Sequence, residues 1–147
     1  MNSASSHQDN FANLLMDGLN LMIPQSDIYS LEPATDLVAN HDSSHVIGFL
    51  HEHAKRWPVY ALSSALVPLA NKPHSYRIIV LMKNVTQGYG LLCEQIYALK
   101  GEQISLYTLP AIMQSSASPL THLAQYDEQV HCVSSAQLLS HLFSNTL

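Results

Sequence analysis

Residues 46–62 constrain the fold more than any other stretch. Val46, Gly48, Leu50 and Glu52 alternate with Ile47, Phe49, His51 and His53. A period of two belongs to a strand, not a helix. It predicts one strand over 46–53 and a second over 57–62. Ala54, Lys55 and Arg56 are the residues between them obliged to meet water, so they form the bend. Pro58 has no N–H to give to a ladder and belongs at a strand start or an edge.

Strand signals continue on both sides. Phe11 to Met16 reads as a strand, and Asp17-Gly18 is a hairpin turn whose residues tolerate positive φ. Leu19 to Ile23 returns until Pro24, and 28–31 is a short strand. Residues 32–44 hold Pro33, Asn40, Asp42 and two serines, a loop composition. Ser63 could cap one turn of helix, and 68–75 is a connector. Tyr76 to Met82 is the most apolar run and predicts a central strand buried on both faces. Strands follow over 89–99 and 104–109, then a hairpin over 120–133 turning at Asp127-Glu128. The end changes period: Ser134 and Gln137 suit a capping box, and Leu138, Leu139, Leu142 and Phe143 share one helical face. No internal repeat is visible. Close-set strands with one terminal helix predict an all-β barrel or sandwich.

Composition removes several functions. The chain has 147 residues with 47% hydrophobic and 12% charged residues and a net charge of −5, enough for one globular domain. Six Lys plus Arg against eleven Asp plus Glu leave no basic patch to neutralise phosphates, so nucleic acid is not an expected partner. Residues 1–10 are polar, are expected to be disordered, and lack the apolar core of a secretory signal. No apolar run is long enough for membrane insertion. Cys93 and Cys132 are expected to be reduced, buried and cytoplasmic.

Catalysis has little raw material. There is no nucleophile elbow and no Gly-rich phosphate loop, and Asp127-Glu128 is a solvated turn. No enzyme activity and no cofactor are expected. Nine histidines are the oddity. His51 and His53 share a face of one strand, and His41 or His45 could add a third metal ligand. The spacing is not that of a helix-borne His-Glu-x-x-His, and exposed His at strand ends is ordinary. Metal therefore stays the alternative: a small-ligand or metal-binding β-barrel using the cluster His41 to His53. What remains is surface. A lone Trp such as Trp57 is more often core than anchor, though Trp and Arg lead among interface anchors. Arg56 stands beside it, and Ile28, Leu31 and Phe49 are apolar on short strands that could be edges.

One resemblance covers nearly the whole chain, about residues 19–143. Gly48-Phe49-Leu50 and Pro58-Val59-Tyr60-Ala61-Leu62 resemble the central segment of CheW-like domains, with the family's spacing between them. Gly90, Leu91, Glu94 and Ile96 resemble its Gly-Leu-x-x-Asp-x-Val strand. The resemblance implies two packed SH3-like five-stranded β-barrel subdomains, about 19–73 and about 76–133 with the N-terminal strand, plus a terminal helix at 134–144, all in one domain over 11–147. It implies a non-catalytic adaptor that couples chemoreceptors to a CheA-type histidine kinase. The kinase's regulatory domain and the cytoplasmic tip of a methyl-accepting receptor are then the partners. Partner contacts are expected at Ile28, Ser30, Leu31, Phe49, His53, Arg56 and Trp57. Two positions depart from the family: its Glu falls on Ser30, and its Arg-Gly on His53-Ala54. Losing both charges together avoids stranding one and leaves a Ser–His pair able to hydrogen bond. Ala54 in place of Gly asks for a bend without positive φ. These departures point to a divergent member, in a pathway such as type IV pilus twitching.

Overall fold

The computed structural model describes residues 10–41, 45–84, 87–115 and 117–144. Expectations for residues 1–9 lie outside the described residues. In chain order the strands are β1 (Phe11–Met16), β2 (Leu19–Pro24), β3 (Ile28–Pro33), β4 (Val38–Ala39), β5 (Gly48–Glu52), β6 (Lys55–Tyr60), β7 (Ile78–Met82), β8 (Tyr89–Cys93), β9 (Gln95–Leu99), β10 (Ser105–Thr108), β11 (His122–Tyr126) and β12 (Gln129–Val133). The helix α1 (Ala136–Ser144) closes the chain.

Three hairpins share one turn geometry. Asp17 and Gly18 (φ 51° and 88°) join β1 to β2, and Asp127 and Glu128 (φ 51° and 64°) join β11 to β12. In the third, Glu52 faces Lys55, so the turn is His53-Ala54 and not residues 54–56. Lys55 and Arg56 belong to β6. Ala54 has φ 61° and His53 φ 54°, against the expectation of a bend without positive φ. A two-residue loop must match the right-handed twist of its strands, and left-handed turn residues do that. The requirement outweighs the ~1–2 kcal/mol that a side chain costs there.

The strands form two six-stranded sheets, each with a lone edge strand, a hairpin and a three-stranded meander in the same spatial order. Sheet 1 runs β9-β1-β2-β12-β11-β10, and sheet 2 runs β3-β7-β8-β6-β5-β4. Each has one parallel joint. Leu21 and Met22 lie against Cys132 and Val133 in sheet 1, and Val59 and Tyr60 against Gly90 and Leu91 in sheet 2. A Cβ on Gly90 would stand 2.8 Å from Ile79 Cγ2 and 3.0 Å from Val59 Cγ2, so glycine lets the second joint close. The repeat is one of topology that no repeated motif announces.

Each sheet also takes a strand from the other half. β3 follows the β1–β2 hairpin but pairs with β7, while β9 follows β7–β8 but pairs with β1. Each sheet therefore draws its strands from both parts of the chain. Glu94 marks the second crossing: its N–H donates to Leu15 O (2.8 Å), and its carboxylate accepts from the Asp17 N–H.

The main core spans both sheets and the helix. It holds Leu14 and Leu21 from sheet 1, Ile79, Leu81 and Leu91 from sheet 2, and Leu139 and Phe143 from α1. A smaller cluster of Phe11, Met22, Leu99, Ala124 and Val133 fills sheet 1. As expected, β7 is central, with Ile79 to Met82 all buried. Two local expectations shift. Ser63 accepts from the N–H groups of Ala65 and Val67 and closes a turn, not a helix. The helix cap is Ser135, whose Oγ accepts from Leu138 N–H at 3.2 Å, while Ser134 donates to Pro119 O.

Tertiary contacts dock α1. Asp27 Oδ2 accepts from Ala136 N–H at 2.9 Å, Tyr89 donates to Ala136 O at 2.6 Å, and Phe143 stacks on Tyr60 at 3.9 Å. An anion at a helix start also complements its dipole. Asp27→Ala is expected to cost about 0.5–2 kcal/mol, the usual range for a lost cap, read by urea denaturation. No helix among the described residues is long and apolar enough to cross a membrane.

Candidate functional site

The site is built around β3, which among the described strands is an edge strand paired only with β7. Its register slips between Ile28 and Ser30. A bulge of this kind turns the strand and re-aims side chains. Ile28 and Leu31, three apart, therefore line the same groove. Regular alternation would send them to opposite faces.

That groove lies between the two crossed-over strands. Ile28 and Leu31 of β3 face Ile96, Tyr97 and Ala98 of β9, with Ala12 and Gln25 at its base, around a volume of about 300 Å³. Leu31 is 49% exposed and Tyr97 42%. Apolar side chains thus stay within reach of solvent beside an open strand edge. Ile28 and Leu31 were legible in sequence, whereas the β9 residues were not, because their strand reads as a continuation of β8.

Of the remaining expected residues, Ser30 and His53 meet beside β3, while Phe49 and Arg56 pair with each other on the β5–β6 hairpin. Ser30 Oγ donates to Glu32 Oε2 at 2.9 Å and lies 3.5 Å from His53 Nε2. His53 Nε2 is 3.6 Å from Glu32 Oε2. The Ser30–His53 contact is thus present, but Glu32, absent from the expected set, joins it. Tyr29 meets His53 edge to face at 4.8 Å and leans on Trp57 at 5.5 Å. The Arg56 guanidinium lies over the Phe49 ring at 3.7 Å, and Lys55 Nζ stands 5.2 Å from the Trp57 ring centre.

Trp57 does not belong to a surface set. It is 3% exposed, and its indole N–H donates to Glu52 O at 3.0 Å. In β6 the inward positions are Trp57 and Val59, so the ring is core and supports the surface from beneath.

The histidine cluster does not assemble as the spacing suggested. Among the described residues, the groups close enough to share a metal ion are Glu32, Glu52 and His53, one ligand atom of each within 4.8 Å of the others. His41, His45 and His51 are not part of it. Burial, aided by the Glu94 charge, pushes the Cys93 thiol pKa up to about 12, and burial also raises that of Cys132.

No protein-family model and no curated protein matches the chain. A solved structure does. The crystal structure of the scaffolding protein TtCheW from Thermoanaerobacter tengcongensis superposes with a TM-score of 0.68, covering 90% of this chain and 92% of that one at 13% identity. The chain therefore has the fold of a CheW scaffold: two packed β subdomains with a C-terminal helix.

Proposed function

We propose that this chain is a non-catalytic adaptor coupling chemoreceptors to a CheA-type histidine kinase in chemotaxis-like signalling. The observation that carries the reading is the apolar groove between β3 and β9, open at Leu31 and Tyr97, in a fold shared with a scaffolding protein. The groove is the natural seat for a receptor's helical cytoplasmic tip, since a helix lays apolar residues into such a channel. The kinase's regulatory domain is the second partner, docking on a sheet. On this reading the chain works in the cytoplasm. Ser30 and His53 at the altered positions favour a related pathway, such as type IV pilus twitching, over flagellar chemotaxis.

The test is titration against CheA-type regulatory domains and receptor-tip hairpins of the same organism. Binding of the wild-type chain to both is expected. Leu31→Asp should weaken the receptor hairpin about tenfold or more, the loss of one buried apolar anchor. Its melting temperature should stay close to wild type, because Leu31 is half exposed in the free chain. No complex with either partner at high micromolar concentration removes the adaptor reading.

A further inference from the structure

Glu52 and His53 are neighbours in sequence, and on a regular strand neighbouring side chains leave opposite faces. The hairpin breaks that rule. Glu52 ends β5, and His53 opens the turn with φ 54°, so both side chains reach one gap beside β3. Glu32 enters the same gap from β3, beyond the register slip between Ile28 and Ser30. One oxygen of each carboxylate and one nitrogen of the imidazole lie within 4.8 Å of one another. His53 Nε2 and Glu32 Oε2 are 3.6 Å apart. Metal–ligand bonds of about 2.1 Å give a tetrahedron an edge of ~3.4 Å, so this pair already has the spacing of two ligands.

Two carboxylates held this close call for a cation, and the nearest basic side chains do not supply one. Lys55 stands over the Trp57 ring and Arg56 over the Phe49 ring. Among the described residues, no Lys or Arg pairs with Glu32 or Glu52. Ser30 Oγ donates to Glu32 Oε2 at 2.9 Å, which orients the carboxylate as an outer hydrogen bond orients a metal ligand. The Trp57 N–H on Glu52 O steadies the turn. A hollow of about 530 Å³ along residues 51–56 runs past Glu52 and His53 and gives an ion its way in.

We infer that Glu32, Glu52 and His53 bind one divalent transition-metal ion, zinc by the chemistry of the donors. Two carboxylate oxygens and one imidazole nitrogen suit zinc and leave a fourth position to water. Calcium and magnesium favour oxygen ligands alone. Bound there, the ion ties the edge strand β3 to the β5–β6 hairpin. The inference is independent of the adaptor reading, because its test uses the metal alone.

The experiment is calorimetric titration of zinc chloride into the full, untagged chain, stripped with EDTA and then freed of it. One zinc per chain is expected, with a Kd in the micromolar range. At a hundredfold excess over Kd the melting temperature should rise by about 5 °C. Glu32→Gln and His53→Gln should each weaken binding about tenfold or more. His51→Gln, outside the set, should bind as wild type does. Cobalt(II) should quench the fluorescence of Trp57, the only Trp in the chain, whose N–H rests on Glu52 O. Far-UV circular dichroism checks that each variant is folded. No saturable zinc binding up to about 0.1 mM overturns the site. Binding of undiminished strength in folded Glu32→Gln and His53→Gln, which would place the metal on other histidines, overturns it too.

Discussion

Trp57→Ala is expected to lose about 3–5 kcal/mol of stability, the range for removing a large buried aromatic. Urea denaturation measures it as a lower midpoint at unchanged slope. The size follows from position. Trp57 is 3% exposed, opposite Leu50 in the β5–β6 ladder. A Cβ at Gly88 would come within 2.4 Å of its ring, so that side has no slack for repacking. Truncation would also leave Glu52 O without its indole donor and Tyr29 without its floor. The outcome separates two roles. An interface anchor would lose partner affinity with little change in stability, whereas a core ring loses binding only as far as the fold is lost. A stability change below about 1 kcal/mol is what a mostly exposed ring would give, and it would contradict the core assignment.

The second large effect is on stability in acid. His131 is 1% exposed and Asn13 is fully buried. Asn13 donates its amide to Asn20 Oδ1 at 2.9 Å, which turns its own Oδ1 to His131 Nδ1 at 2.7 Å. Nδ1 therefore carries the proton, and Nε2 is buried with no hydrogen-bond partner among the described residues. A second proton would create a charged, unmatched N–H, so burial holds the His131 pKa below its ordinary 6.5. The unfolded chain then binds protons more readily than the folded one. This contribution is fully present above pH 6.5 and falls away as pH drops below it, by at most about 1.4 kcal/mol per pH unit. Melting curves at pH 7, 6 and 5 should show the decline. His131→Phe should make the decline shallower, and an equal decline in that variant would place the cause at other groups.

Local chemistry was readable from the residues, and long-range pairing was not. Asp17-Gly18 and Asp127-Glu128 announce their turns because few residues accept positive φ. The terminal helix shows itself through a change of period. The β5–β6 turn was misplaced because Lys55 and Arg56 look like loop residues. In the structure their charges stay at the surface, over aromatic rings, while their backbones pair. The groove was half legible. Its β3 side is a short apolar strand, but its β9 side depends on a sheet change at Glu94 that no local propensity encodes. Glu32 was missed for a related reason. Only the bulge and the closed hairpin bring it to His53.

The exchange of β3 and β9 has a consequence for how the chain is made. As residues leave the ribosome, the β1–β2 hairpin can form early, but its sheet partners are residues 95–99 and 129–133. β3 likewise waits for residues 78–82. Neither sheet can be completed by the half of the chain that begins it. Folding dominated by such distant pairings is slow, because each needs a long loop to close before it is rewarded. Through most of synthesis β2 and β3 therefore present open edges, a window in which a nascent chain gains from chaperone cover.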